Sequence, residues 1–336
     1  MMLRSTRFDI RPVLVILLLA LAQPVRAVTC VTGSEMNSAQ RDQLAQTART
    51  LGGDIKTGNV AGVRQATIPA VAAQFDPIAA SIQSIAPQIQ NATLTINTLY
   101  LLKASDLKST QDETQFFCSV AGSALIVTLT IPQLPPGDYA LLILRATGIE
   151  HPQQLTLLVQ NDPAGSKDWK LAGFFPRPIT AAGHDGVWYW TQARNYAQKN
   201  DEWNAFFYYE TAAFLLTPVD FLSSPNLEKL QKEAQTVRPA EMPGPNNAMT
   251  LKAGSQSFDI TSMRTDSSLG GLDLVINYKA KDVSDPVATH AQIVELMKAM
   301  LAQYPQLRQA FHGLWVYAHA ANQNPYAIEL PMNQIS

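Results

Sequence analysis

The chain has 336 residues, 46% of them hydrophobic and only 15% charged, with 25 basic against 27 acidic side chains and a formal net charge of −2. That length accommodates two or three domains, and the apolar content is enough to bury a core in each. No basic run or patch is present, which argues against nucleic acid as a partner and against bulk attraction to anionic lipid.

The first segment is predicted to be a secretory signal peptide, residues 1–27. Arg4, Arg7 and Arg11 precede an unbroken apolar run from Val13 to Ala22, and Val25 and Ala27 supply small residues for cleavage. A ten-residue run is too short to span a bilayer, which takes about 20 residues. The expected location is therefore periplasmic or secreted, with no transmembrane anchor once the signal is removed. Without residues 1–27 the balance becomes 21 basic against 26 acidic side chains. Cys30 and Cys118 are the two cysteines of the chain. An even count in an exported protein predicts a Cys30–Cys118 disulfide, and the absence of Cys-x-x-Cys spacing argues against a redox or metal pair.

Residues 28–178 read as an α+β domain. Ser38 is placed to cap a helix whose Leu44, Ala48 and Leu51 share a face, and Gly52-Gly53 weakens its end. A second helical stretch, Ile68 to Gln90, is interrupted or kinked at Pro69, Pro77 and Pro87. The period then changes to two. Leu94, Ile96, Tyr100 and Leu102 belong to a first strand, followed by strands at 115–120, 124–131, 139–147, 154–160 and 169–175. Pro135-Pro136-Gly137-Asp138 and the Asn161–Gly165 stretch mark turns. Helices followed by an antiparallel meander predict a sheet with helices on one face. In that order the segment resembles the cone-shaped fold of nuclear transport factor and its relatives. The Pro136-Gly137-Asp138-Tyr139 turn before a strand also suits an immunoglobulin-like sandwich.

Residues 179–240 are predicted to be a helical segment. Asp185 caps a helix beginning near Gly186. Ala193, Tyr196, Ala205, Tyr209 and Ala212 follow the spacing of a tetratricopeptide repeat, and over about residues 187–218 the chain resembles a single such repeat. Asn200 stands where that family usually has glycine, and Pro218 falls one residue late. The resemblance implies two antiparallel helices whose small alanines allow close approach. One repeat cannot bury its apolar face alone, so it must pack on a neighbouring domain or on another protein.

Residues 241–250 read as a linker rich in proline, and residues 251–336 as a small α+β domain of order β-β-α-β-β on an antiparallel sheet. Leu272, Leu274, Ile276 and Tyr278 alternate as a strand does. Asp285-Pro286 starts a helix whose apolar face includes Ile293, Met297, Met300 and Tyr304. The expected fold class is thus α+β and multi-domain.

Chemistry is sparse. Ser105-Asp106-Leu107-Lys108 and Lys56-Thr57-Gly58 match short patterns of penicillin-recognising serine enzymes, but in the reverse order and on the wrong elements. None of the five histidines (His151, His184, His290, His312, His319) forms a metal-binding pair on a helix. His312 and His319, seven residues apart around one strand, are expected on opposite faces. No catalytic residue, metal ligand or cofactor is predicted. Aromatics crowd the helical segment, and Trp188, Trp190, Trp203 and Tyr208, with His184 at the helix start, are the candidate binding residues. The expectation is a non-enzymatic interaction or scaffold protein of the cell envelope with a protein partner. The alternative is a small-molecule-binding protein or enzyme using a pocket in the N-terminal domain.

Overall fold

The computed structural model describes residues 28–336 except Ala121, Pro163, Ala164, Lys167 and Pro245. The signal-peptide prediction lies outside the described residues. The elements run in the order β1 (Thr29–Thr32), α1 (Ser38–Lys56), α2 (Val60–Gln65), α3 (Pro69–Ala72), α4 (Asp76–Ile89), β2 (Thr93–Ala104), β3 (Gln111–Ser119), β4 (Ile126–Leu134), β5 (Gly137–Thr147), β6 (Gln153–Asn161) and β7 (Trp169–Pro178). Then come the short β8 (Thr180–Ala181) and β9 (His184–Asp185), α5 (Gly186–Gln198), α6 (Glu202–Leu216), β10 (Leu222–Ser223) and α7 (Pro225–Thr236). The chain finishes with β11 (Met249–Ala253), β12 (Gln256–Asp266), β13 (Asp273–Lys279), α8 (Pro286–Gln303), α9 (Leu307–Ala310), β14 (Gly313–His319) and β15 (Tyr326–Pro331). The protein is α+β, as the pattern of periods implies.

The N-terminal half is built in three layers. Its centre is an antiparallel sheet of order β1-β2-β5-β6-β7. Alternation on the central strands supplies two apolar faces. Leu99, Leu101, Leu142, Leu144, Leu155 and Leu157 pack against Leu44, Leu51, Ile55, Ile82 and Ile89 of α1 and α4. Tyr100, Leu102, Leu141, Ile143 and Leu158 face a second sheet, β10-β4-β3, through Phe116, Leu129 and Ile131. β5 and β6, with β2 from Leu99 to Leu102, are therefore buried on both sides, which explains runs such as Ala140–Leu144 and Leu99–Leu102, whereas the start of β2 keeps one exposed face. The β3–β4 hairpin leaves the meander to form that second layer. Cys30 on β1 and Cys118 on β3 are bonded, so the disulfide clamps one sheet to the other. Asn37, rather than Ser38, caps α1, because its side-chain oxygen accepts from the Gln40 amide.

α5 and α6 form a hairpin joined through Asn200, which adopts a positive φ of 57° at the position where glycine would be most at ease. Ala193, Ala205 and Ala212 are fully buried. α6 buries most of its residues, from Trp203 to Tyr209 with Thr211, Ala212 and Leu215, and leaves Glu210 and Phe214 exposed. Its Trp203, Phe206, Phe207, Tyr208 and Tyr209 belong to the same hydrophobic cluster as Ile276, Tyr278, Met297 and Leu314 of the last segment. The Tyr208 hydroxyl donates to the Ala310 carbonyl at 2.8 Å and the Asn204 amide to the Gln306 carbonyl at 2.9 Å, fixing α6 on the C-terminal half. Beyond α6 the chain turns back. β10 joins β4, and Val219, Leu222 and Leu227 enter the core between the two N-terminal sheets. The helical segment thus touches both halves.

The last sheet has the order β11-β12-β13-β14-β15. Two features differ from the expected β-β-α-β-β antiparallel order. β11 is an additional strand, its Met249 and Thr250 lying in the stretch read as linker, where the preceding prolines mask a five-residue alternation. β13 and β14 are parallel, because α8 crosses between them and returns the chain to the same end of the sheet.

Candidate functional site

Between the two halves lies a cleft of about 1120 Å³. Its floor is one side of α6, with Phe206, Phe207, Phe214 and Leu215. One wall is the outer side of α4, with Ser81, Ser84, Ile85 and Gln88, and the strand ends at His151, Gln153, Pro176 and Pro178. The opposite wall is the end of β12 and the loop after it, Met263 to Ser268, with Arg238, Met242 and Pro243 closing a side. The volume lies just above the usual range of ligand pockets, about 300 to 1,000 Å³.

Charges of both signs meet there. The Arg238 guanidinium lies 5.2 Å from the centroid of the Phe206 ring, a cation–π arrangement. Arg264 Nη1 donates to Asp266 Oδ2 at 2.7 Å, and the Ser268 backbone N–H and hydroxyl donate to Asp266 Oδ1 at 2.9 and 2.6 Å. Burial raises the Asp266 carboxyl, but these donors outweigh it and leave the group below the ordinary aspartate value. Thr211 and Thr265 share a 2.8 Å hydrogen bond between their hydroxyls, tying α6 to β12.

Glu210 behaves oppositely. Its side chain lines the cleft, and desolvation raises its pKa, partly offset by Arg238. A carboxyl raised on folding contributes stability that is complete below its unfolded pKa and lost as pH rises through the folded one. Glu210→Gln removes that loss. The thermal midpoint of the wild type is therefore expected to fall, relative to Glu210→Gln, as pH is raised from 4 to 7. Parallel curves for the two proteins would show that Glu210 is freely hydrated.

The structure brings His184, Trp188 and Tyr208 into one aromatic cluster, the Trp188 and Tyr208 ring centroids 6.1 Å apart, and sets Trp190 and Trp203 in other surroundings. Trp203 is 5% exposed, with its ring centroid 4.5 Å from that of Tyr304, and Tyr208 is 6% exposed and hydrogen-bonded. These two are packing residues: small alanines at 205 and 212 draw the helices together and enclose the rings. Trp190 is half-buried. Its indole N–H donates to Glu233 at 2.7 Å while Arg194 makes two bonds to the same carboxylate and lies 4.5 Å over the indole ring. This network lowers the Glu233 pKa, chiefly through Arg194, and fastens α7 to α5. His184 is exposed and stacks on half-buried Trp188, centroids 3.7 Å apart. Asp185 Oδ1 accepts from the Trp188 amide, so it caps α5 rather than pairing with His184. His184, Trp188 and Trp190 therefore stay at the surface, but none of them lines the cleft.

His312 and His319 do not diverge as strand alternation predicts. Their rings meet Asp273 and Asn277, which lie four residues apart on one face of β13. His312 precedes β14 and so escapes the alternation of that strand.

The cleft residues escaped sequence reading because they come from six separate stretches of chain. One local signal was present. Glu210 is the lone charge inside the run Trp203–Leu216, which has no other acidic or basic side chain apart from its tyrosines. Comparison with protein families, with curated proteins and with solved structures finds no match for this chain. Among the described residues, no helix is long and apolar enough to cross a membrane.

Proposed function

We propose that this is an exported, non-enzymatic binding protein of the cell envelope, whose cleft receives a peptide segment of a partner protein. The cleft is the observation that carries this reading. Its phenyl-lined floor suits apolar side chains. Its two arginines, two carboxylates and ring of hydroxyls and amides suit a backbone that both donates and accepts hydrogen bonds. The signal-like start of the chain and the disulfide support an oxidising compartment outside the cytoplasm.

Phe214 is the residue to test. It is 50% exposed at the cleft floor, with Arg177 lying 5.3 Å from its ring centroid, so its removal disturbs the fold little. Peptides selected on residues 28–336 from a displayed random library are expected to bind the wild type and to lose about tenfold in affinity with Phe214→Ala, as an aromatic anchor does. Fluorescence polarisation reads the difference. Selected peptides that bind both proteins equally would place the interaction elsewhere. A library yielding no binder, beside a small molecule that competes at Phe214, would favour the small-molecule alternative.

A further inference from the structure

We infer that Asp273, His312 and Glu329 form a binding site for one divalent transition-metal ion of the zinc class. The three come from neighbouring strands at one end of the last sheet. Asp273 opens β13, Glu329 lies in β15, and His312 stands just before β14, which runs between them. Their ligand atoms all lie within 4.8 Å of one another. His312 Nδ1 is 3.0 Å from Asp273 Oδ1 and 3.9 Å from Glu329 Oε1. Ligands about 2.0–2.2 Å from a common ion stand roughly 3–3.5 Å apart, so only small side-chain adjustments bring the three onto one centre.

Two independent features point to a missing cation. Asp273 is 1% exposed, yet its Oδ2 has no hydrogen-bond partner among the described residues; Glu329 Oε1 is likewise buried and without a hydrogen bond. Two carboxylates held together away from water must either share a proton or meet a cation, and among the described residues His312 is the one basic side chain paired with either. Arg264 is committed to Asp266, and Arg308 to the carbonyls of Met332 and Ile335. The backbone also makes room. A Cβ on Gly313 would overlap Glu329 Oε1 and come within 2.7 Å of the Leu330 carbonyl oxygen and 3.0 Å of Asp273 Oδ1. A glycine at 313 is thus what lets both carboxylates reach the same point.

The donor set defines the ion. One imidazole nitrogen with two carboxylates suits zinc, manganese, cobalt or iron(II). It lacks the thiolates that select copper(I), and magnesium and calcium favour all-oxygen shells. Three protein ligands leave at least one position open, and the His312 side chain is half exposed, so solvent reaches that position. His312 binds through the Nδ1 lone pair, with its proton on Nε2.

The test is equilibrium dialysis of chelator-treated residues 28–336 against zinc chloride, with metal counted by mass spectrometry. One zinc per chain is expected, with cobalt(II) giving visible ligand-field bands at the same stoichiometry and magnesium not competing. His312→Ala, Asp273→Asn and Glu329→Gln should each weaken zinc binding by at least about tenfold, the lower end of what losing even an outer partner costs a metal site. Circular dichroism checks their fold, and half-exposed His312 is the variant least able to disturb it. His319→Ala, whose ring bonds Asn277, and Phe214→Ala in the cleft should both retain the ion. Substoichiometric binding of zinc, cobalt and manganese, equal binding by the three ligand variants, or loss with His319→Ala would each overturn the site. Since the cleft is probed by peptide and this site by metal alone, either can fail without the other.

Discussion

Replacing both Cys30 and Cys118 with alanine is expected to lower the stability of residues 28–336 by about 4–5 kcal/mol. The two cysteines are 88 residues apart in sequence, so the bond removes a large loop-closure entropy from the unfolded chain. It also ties β1 of one N-terminal sheet to β3 of the other, two layers otherwise held there by apolar packing and a 3.4 Å hydrogen bond from the Ser119 hydroxyl to Glu35. Alanine is the right replacement because Cys118 is fully buried, and a serine hydroxyl there would add a desolvation cost of its own. Urea unfolding measures the effect. Reduced wild type should match the double variant; an oxidised wild type no more stable than the variant would mean that the sheets are aligned without the bond.

Trp203→Ala is expected to cost about 3–5 kcal/mol, the range for emptying a buried aromatic site. The ring fills the junction between α6 and Tyr304 at the end of α8, and its centroid is 6.0 Å from that of Phe207. Alanine leaves a void that its surroundings cannot readily close, since α6 is held on the α9 segment by the Asn204–Gln306 and Tyr208–Ala310 hydrogen bonds. The contrast is Phe214→Ala, on the same helix but half exposed to the cleft, which should change peptide affinity much more than stability. Thermal or chemical unfolding of the two variants separates the roles. A stable Trp203→Ala protein would return that tryptophan to the surface-anchor role that its aromatic neighbourhood suggested.

Much of the fold was legible because short-range periodicity carries it. Alternation at Leu94–Leu102 and at Leu272–Tyr278 and the three-and-four spacing along α4 and α8 locate their elements to within a few residues. Aspartates before Gly186 and Pro286 cap their helices as capping chemistry requires. β11 was missed because a five-residue strand beside several prolines has too few residues to show a period. Which strand left the meander could not be read either: β3 and β4 alternate as their neighbours do, and only the partner offered to each face separates one sheet from two.

The residues by themselves therefore determined the α+β class, the pairing of the two cysteines, and the presence of a helical hairpin too aromatic to stand alone. Tertiary structure decided the rest. It buried Trp203 and Tyr208, left Phe214 at the floor of a cleft, and set Glu210 beside Arg238. It also gathered Asp273, His312 and Glu329 above Gly313 from positions 39 and 17 residues apart. The physical reason is one of range. Periodicity, capping and turns act within about one helical turn or strand pair, whereas a site is made by side chains that meet only after sheets have paired and layers have closed.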